Sequence, residues 1–354
     1  MKVPCGILIV FDQKYRNFTA HAGRIWITST LNPTNDFVDI LVQTEIYANK
    51  NLDGVGMKVG FGIPNNQGVE DPNDLISLAV KAEQQAYASV WVREHLFHST
   101  YVAERLGDKP YHDAFTVLTG IACATEEVRL GTSVLVLPWH DPARLGKMVA
   151  TLDHLSGGRV TLGVGVATTR DEYDNLGVDF TTRGKRTDEI IGALQALWTQ
   201  ETPTFSGTFY KYSGLKFSPK PLQKPYPPLL IGGSSRAAYQ RTAQFGDGWH
   251  ALRQSPAQIA DGKAKIIALT EAAGRDPSGL EFSLTIPIRF TAKPPGKSVM
   301  NRTALTGTEE DIGETVVAYR DAGLDEIVIS DSSADIDSNT EVMIRFMEGV
   351  WSKQ

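Results

Sequence analysis

From Met57 onward the sequence alternates short β-rich runs with longer amphipathic runs, and it does so eight times. The strand-like runs are Lys58–Ile63, Ser89–Arg93, Val128–Leu137, Arg159–Val166, Pro228–Gly232, Gly248–Leu252, Glu281–Arg289 and Glu326–Ser330. Helix-like stretches follow them, starting at Pro72, Ala114, Pro142, Thr182, Ser234, Pro256, Glu309 and Asn339. Strands joined this way lie parallel, because each connection is long enough to be a crossover helix. Closing eight such units into a (β/α)8 TIM barrel takes about 250 residues, and residues 57–354 provide that length. An open doubly wound sheet satisfies the same periodicity.

Two segments break the rhythm. Residues 203–228 are rich in proline around Phe205-Ser206-Gly207-Thr208-Phe209-Tyr210, and read as an insertion carrying a small hairpin. Residues 1–56 hold strand-like pieces at Gly6–Phe11 and Arg24–Thr28 and a helix-like piece at Asp36–Tyr47, but no barrel unit. They are expected to form an N-terminal extension that the barrel does not need.

The formal net charge of -6 argues against nucleic acid or an anionic membrane as the main partner. No apolar run approaches the ~18 residues of a membrane helix. Two cysteines, Cys5 and Cys123, make neither a disulfide framework nor a four-ligand zinc site. A cytoplasmic protein acting on a small molecule is expected, with Cys123 buried in the apolar run Thr116–Ala124.

In a barrel the strand C-termini and the loops after them form the active face. Polar and glycine residues crowd at those ends: Arg93-Glu94-His95, Thr132-Ser133-Val134 leading to Trp139-His140, Gly163 to Thr168, Gly232-Gly233-Ser234-Ser235, and Trp249-His250. Gly232 to Ser235 follow an apolar strand and open a helix, where free backbone N–H groups suit a phosphate; a plain tight turn has the same residues. Gly163-x-Gly165 lacks the third glycine of a dinucleotide fingerprint, since Thr168 stands there, and Arg170–Asp179 reads as a polar loop. His95 is suited to moving a proton near neutral pH, or is a hydrogen-bonded structural histidine. His98 and His112 read as surface or lid residues. Arg183-Gly184-Lys185-Arg186 is a solvated face or a holder for an anionic cofactor tail. Trp139 and Trp249 line a pocket for a planar ligand, or only pack.

Taken together and in order, several segments carry a resemblance. They are Ser89 to Leu96 (SVWVREHL), Arg129 to Pro138 (RLGTSVLVLP), Thr151 to Arg159 (TLDHLSGGR), Leu162 to Gly165, Pro227 to Ser234 (PPLLIGGS) and Gly246 to Trp249. The chain resembles the luciferase-like monooxygenase superfamily, and more closely its branch that uses the deazaflavin coenzyme F420. The resemblance implies a dimeric (β/α)8 barrel with an insertion region and a cofactor at the C-terminal rim. It implies a non-prolyl cis peptide between Ser133 and Val134, behind the cofactor ring with Val136. Gly165, Val166, Ala167, Thr168 and Asp171 would flank the cofactor, and Gly232, Gly233 and Ser234 would hold its phosphate. His95, oriented by Glu94, would face the ring and the substrate. One departure stands out: Val166-Ala167-Thr168 replaces the glutamate of the sugar-phosphate dehydrogenases, which speaks against glucose 6-phosphate as substrate. The activity implied is hydride transfer between reduced F420 and a small organic molecule. The rivals are an FMN-dependent monooxygenase and a non-catalytic flavin or deazaflavin binder. A metal-dependent hydrolase lacks ligand spacing.

Overall fold

In a computed structural model the described residues are 56–293 and 296–354, together with the backbone of three earlier strands. Those strands, β1 (Asn17–Ala20), β2 (Ile25–Thr30) and β3 (Asp39–Gln43), form an antiparallel sheet in a unit of their own. The segment Asp36–Tyr47, expected to be helical, contains β3 instead. Its Asp-Ile-Leu-Val-Gln run is β-branched and apolar, and pairs with β2 from Trp26↔Gln43 to Thr30↔Asp39. The strand expected at Gly6–Phe11 lies outside the described residues.

In the second unit β4 (Lys58–Gly62) leads through α1 (Pro72–Gln84) to β5 (Ser89–Val92). Two helices, α2 (Thr100–Leu106) and α3 (Ala114–Ala124), cross to β6 (Arg129–Thr132) and its short continuation β7 (Leu135–Val136). Then come α4 (Pro142–Leu155), β8 (Val160–Gly165), α5 (Arg170–Asn175) and α6 (Arg183–Thr199). The inserted hairpin, β9 (Phe205–Ser206) with β10 (Lys211–Tyr212), precedes β11 (Leu229–Gly232), α7 (Arg236–Phe245), β12 (Gly248–Leu252), α8 (Pro256–Ala272) and β13 (Glu281–Phe290). The last elements are β14 (Leu305–Gly307), α9 (Glu309–Asp321), β15 (Glu326–Ser330) and α10 (Ile336–Arg345).

Eight strands pair in parallel in the order β4-β5-β6-β8-β11-β12-β13-β15, and β15 pairs back onto β4. The ring is therefore closed, and the open-sheet alternative is excluded. Local sequence sets the helix starts. Asp71 and Asp141 accept from backbone N–H groups of α1 and α4, with Pro72 and Pro142 in the first turn. Ser255 with Gln258 and Thr308 with Asp311 form capping boxes on α8 and α9.

Strand alternation sorts the interior. Val90 and Val92 of β5 join the large core between strands and helices, whereas Trp91 forms a separate buried cluster on the axis with Leu230 and Val328. At the strand N-termini beneath this plug, Arg129 binds Glu281 and Glu326, and Glu326 also accepts from Ser89. Above it, His250 stacks on Trp91 with ring centroids 4.5 Å apart.

Two short helices follow the strands at the rim, and one of them, α5, stands where a polar loop was expected. α2 receives no side-chain cap from its own Ser99; the cap comes from Asp171, far along the chain. α5 is a polar six-residue turn. Cys123 is exposed, contrary to expectation. The buried stripe of α3 runs through Ala114, Phe115, Val117, Leu118, Ile121 and Ala122, and Cys123 falls off it. Among the described residues no helix is long and apolar enough to cross a membrane.

Candidate active site at the barrel mouth

The third barrel strand is interrupted by a non-prolyl cis peptide between Ser133 and Val134, where the resemblance placed it. β6 stops at Thr132, the chain bulges, and β7 resumes pairing with β8 through Leu135↔Val164 and Val136↔Gly165. Glycines on the neighbouring strands make room for the bulge. A Cβ on Gly165 would lie 2.8 Å from Val134 Cγ2, and one on Gly232 would lie 3.0 Å from Val134 Cγ1. The Gly163-x-Gly165 pattern is thus explained by packing: a Cβ on Gly163 would meet the Thr132 carbonyl oxygen at 2.0 Å.

Ser133 is anchored from below. Its hydroxyl lies 2.8 Å from His250 Nε2 and 3.0 Å from Thr285 Oγ1, and His250 Nδ1 bonds Ser283 at 2.7 Å. His250 is 2% exposed, and burial pushes its pKa down to about 3, so it is a neutral hydrogen-bond relay.

Glu94 and His95 point to different partners. Glu94 accepts the Val136 N–H at 2.7 Å and bonds His140 Nε2 at 2.7 Å, which locks β7 behind the bulge. Burial opposes the charge on His140, but the hydrogen bond and charge of Glu94 outweigh it and raise its pKa. The expected orientation of His95 by Glu94 is therefore incorrect. His95 Nδ1 instead meets Glu172 Oε2 at 2.6 Å. Glu172 is 1% exposed and also accepts from Leu96 N (3.0 Å), Phe97 N (3.3 Å) and Thr169 Oγ1 (2.8 Å). Burial opposes its charge, yet the bonds from His95 and Thr169 hold its carboxyl below the usual range. The rings of Tyr101, Tyr111 and Trp139 stand 5.6–6.0 Å from that of His95.

The other expected cofactor contacts fall along the same rim. Gly165 is buried, Val166 and Ala167 are half-buried, and Thr168 is exposed. Ala167 has φ +48°, and the Val166 carbonyl accepts the Tyr173 hydroxyl at 2.5 Å. Asp171 accepts the Thr100 N–H at 2.8 Å, which lowers its pKa and ties α5 to α2. Gly233 has φ +100°, a conformation that favours glycine, and the exposed Ser234 precedes the Ser235 cap of α7. Trp249 does not line the mouth: it is fully buried on the helix side, bonding the Gly233 carbonyl at 2.7 Å. His98 is exposed, and His112 bonds the Val69 carbonyl at 2.7 Å. Arg183 and Arg186 lie over the rings of Phe180 and Phe209 at 3.9 and 4.3 Å.

The mouth suits a planar cofactor with a phosphate tail. Val134 presents an apolar surface, a positive-φ glycine turn leads into α7, and the buried Trp139 Nε1 has no hydrogen-bond partner among the described residues. The luciferase-like monooxygenase family model matches residues 55–294. The chain belongs to that family. It is 29% identical over 266 residues to an FMNH2-dependent dimethylsulfone monooxygenase of Pseudomonas putida, covering 61% of this chain and 73% of the relative. It is 33% identical over 211 residues to an uncharacterized protein of Mycobacterium tuberculosis, covering 56% and 72%. The barrel superposes on the monooxygenase RslO1 of Streptomyces bottropensis and on an F420-dependent secondary alcohol dehydrogenase, each with a TM-score of 0.71. These two are 21% and 19% identical, and each match spans 84% of this chain and 99% of the other, so they establish the shared fold. Relatives of this enzyme family use reduced FMN or F420.

Residues that sequence reasoning missed are Glu172 and Tyr111, and Arg93 figures there only as part of the strand-end crowding. A signal for Glu172 exists: Thr169-Arg170-Asp171-Glu172 has the Thr-x-x-Glu form of a helix start.

Proposed function

We propose that the chain transfers a hydride between coenzyme F420 and a small organic substrate, with His95 moving the accompanying proton. The observation that carries this reading is the His95–Glu172 pair on the rim that also bears the Ser133–Val134 bulge. A carboxylate at Nδ1 fixes the ring as the Nδ1–H tautomer, leaving Nε2 as the base. His95 Nε2 has no partner among the described residues, and the side chain is 19% exposed. In the alcohol-oxidising direction Nε2 takes the hydroxyl proton, and Glu172 stabilises the imidazolium that results. In the reducing direction the same nitrogen returns the proton to the substrate oxygen. A bound deazaflavin would supply or accept the hydride. Val134 would back its ring, and Gly233 and Ser234 would hold its phosphate. The half-buried rings of Tyr111 and Trp139 would limit water around His95.

A second reading is a reduced-FMN monooxygenase, favoured by the 29% identity to the Pseudomonas putida enzyme. Titrating the purified protein with F420 and with FMN, each followed by fluorescence, separates the two. The proposal expects F420 to bind more tightly by at least about tenfold, roughly 1.4 kcal/mol. The reverse preference overturns it in favour of FMN. With the preferred cofactor bound, Glu172→Gln should lower turnover by about 5- to 15-fold, the difference between a charge-assisted and a neutral hydrogen bond. Unchanged turnover would remove His95 and Glu172 from the mechanism.

A further inference from the structure

Beside the bulge, the mouth gathers arginines that have no carboxylate partner among the described residues. Arg93 extends from the end of β5 and donates to Asn66 Oδ1 at 3.2 Å and to Ser330 Oγ at 3.0 Å. Those bonds use two of the five N–H donors of a guanidinium. Arg105, on α2, donates to Gln67 Oε1 at 2.8 Å, and its Nε is buried without a partner. Arg253 follows β12 with φ +51°, and its side chain makes no hydrogen bond among the described residues. Among those residues, none of the three guanidinium groups has a carboxylate partner.

Three consecutive residues gather the first two arginines and the tyrosine: Asn66 and Gln67 accept from Arg93 and Arg105, and the Asn65 amide donates to the carbonyls of Arg93 and His112, next to Tyr111. Burial lowers the Arg93 pKa, the Arg105 and Arg253 charges lower it further, and Tyr111 acts in the opposite direction. The Tyr111 hydroxyl is itself buried with no hydrogen-bond partner, and burial drives its pKa up, so it stays a neutral donor. Glu94 and Glu172 are the carboxylates close enough to act on Tyr111, and both are engaged, by His140 and by His95. A guanidinium N–H and a hydroxyl that are buried and unsatisfied are costly to keep unless an acceptor completes them.

We propose that Arg93, Arg105, Arg253 and the Tyr111 hydroxyl form an anion subsite that holds an oxyanion group of the substrate: a carboxylate, phosphate or sulfonate. The inference rests on the reading of this mouth as the redox site, and it narrows the substrate to small organic anions. Strand order separates Arg93 from the glycine turn. Arg93 leans on Asn66 and Ser330, at the ends of the first and eighth barrel strands, whereas Gly233 and Ser234 follow the fifth. An anionic group held at Arg93 would anchor the substrate away from the cofactor phosphate, leaving its uncharged part for His95; Arg253 follows the sixth strand, beside the fifth, so the cofactor titrations decide which anion it serves.

The test uses inorganic sulfate as probe, added at constant ionic strength against chloride, with thermal unfolding and isothermal titration as readouts. Cofactor titrations by FMN, F420 and phosphate-free riboflavin run beside it. Arg253→Gln alters an exposed side chain without hydrogen bonds, so it keeps the test readable if Arg93→Gln disturbs folding. Saturable sulfate binding is expected, weakened about 10- to 100-fold by either variant, as expected for loss of a charge-assisted bond, with cofactor affinity unchanged. Sulfate binding that is absent, or equal in wild type and Arg253→Gln, overturns the subsite. So does a variant that loses FMN or F420 affinity while riboflavin binding stays the same, because the arginines would then hold the cofactor phosphate. Failure of all three cofactors to bind wild type sinks the redox reading and leaves the sulfate result legible.

Discussion

The packing of the bulge makes a quantitative claim about two residues. Replacing Gly165 by alanine puts a carbon 2.8 Å from Val134 Cγ2, where carbon–carbon contacts normally settle at about 3.5–4.0 Å. A displacement of about 0.7 Å is needed, and Val134 has little freedom to provide it. Its χ1 is stiff because it is β-branched, and its other methyl faces Gly232. The expected cost is about 1–3 kcal/mol. Val134→Ala alone removes two methyls, worth roughly 0.8 kcal/mol each if fully buried. Val134 is half-buried, so a loss near 1 kcal/mol is expected. In the double variant the new methyl at 165 occupies the vacated space and the clash disappears. Its loss should stay near 1 kcal/mol, which leaves a favourable coupling of about 1–3 kcal/mol. Urea unfolding of the four proteins, followed by tryptophan fluorescence, measures it. Losses that add within about 0.5 kcal/mol would refute the claim that Gly165 exists to admit Val134.

Two further expectations follow from the barrel. The folded His250 pKa, pushed down to about 3, lies below the ordinary imidazole value. The folded state therefore binds fewer protons than the unfolded state in that window. Stability from neutral His250 is complete above about pH 6.5 and is lost as pH falls toward 3. Between about pH 6 and pH 4, His250→Gln should flatten the fall in stability by about 1.4 kcal/mol per pH unit; parallel curves for the two proteins would contradict it. Because β4 closes the ring on β15, a chain beginning at Met57 should keep the barrel's thermal transition by circular dichroism. Loss of that transition would show that residues 1–56 are needed for the fold.

Much of the barrel could be read from the chain because its strands are buried on both faces. Gly248–Leu252 and Glu326–Ser330 have the bounds that their apolar runs suggest. The third strand, expected as one run from Val128 to Leu137, is split at Ser133–Val134, and only the family resemblance pointed to that break. The site was less legible because its pairings are distant in sequence. Glu94 is adjacent to His95 and looked like its partner. However, neighbouring residues at a strand end diverge, so Glu94 turns toward β7 and Glu172 arrives from 77 residues away. α5, which carries Glu172, has so little apolar content that it reads as loop. Arg93 looked like part of a motif, and its lack of a carboxylate partner emerges only when Asn66 and Gln67 gather it with Arg105.

The plug of Trp91, Leu230 and Val328 has a kinetic consequence. With the barrel axis sealed beneath the mouth, both reactants must come and go through one opening. On the proposed function, the molecule seated deeper would enter first and depart last. Steady-state kinetics should then show compulsory-order addition, with the rim-bound product competing only against the reactant that shares its place.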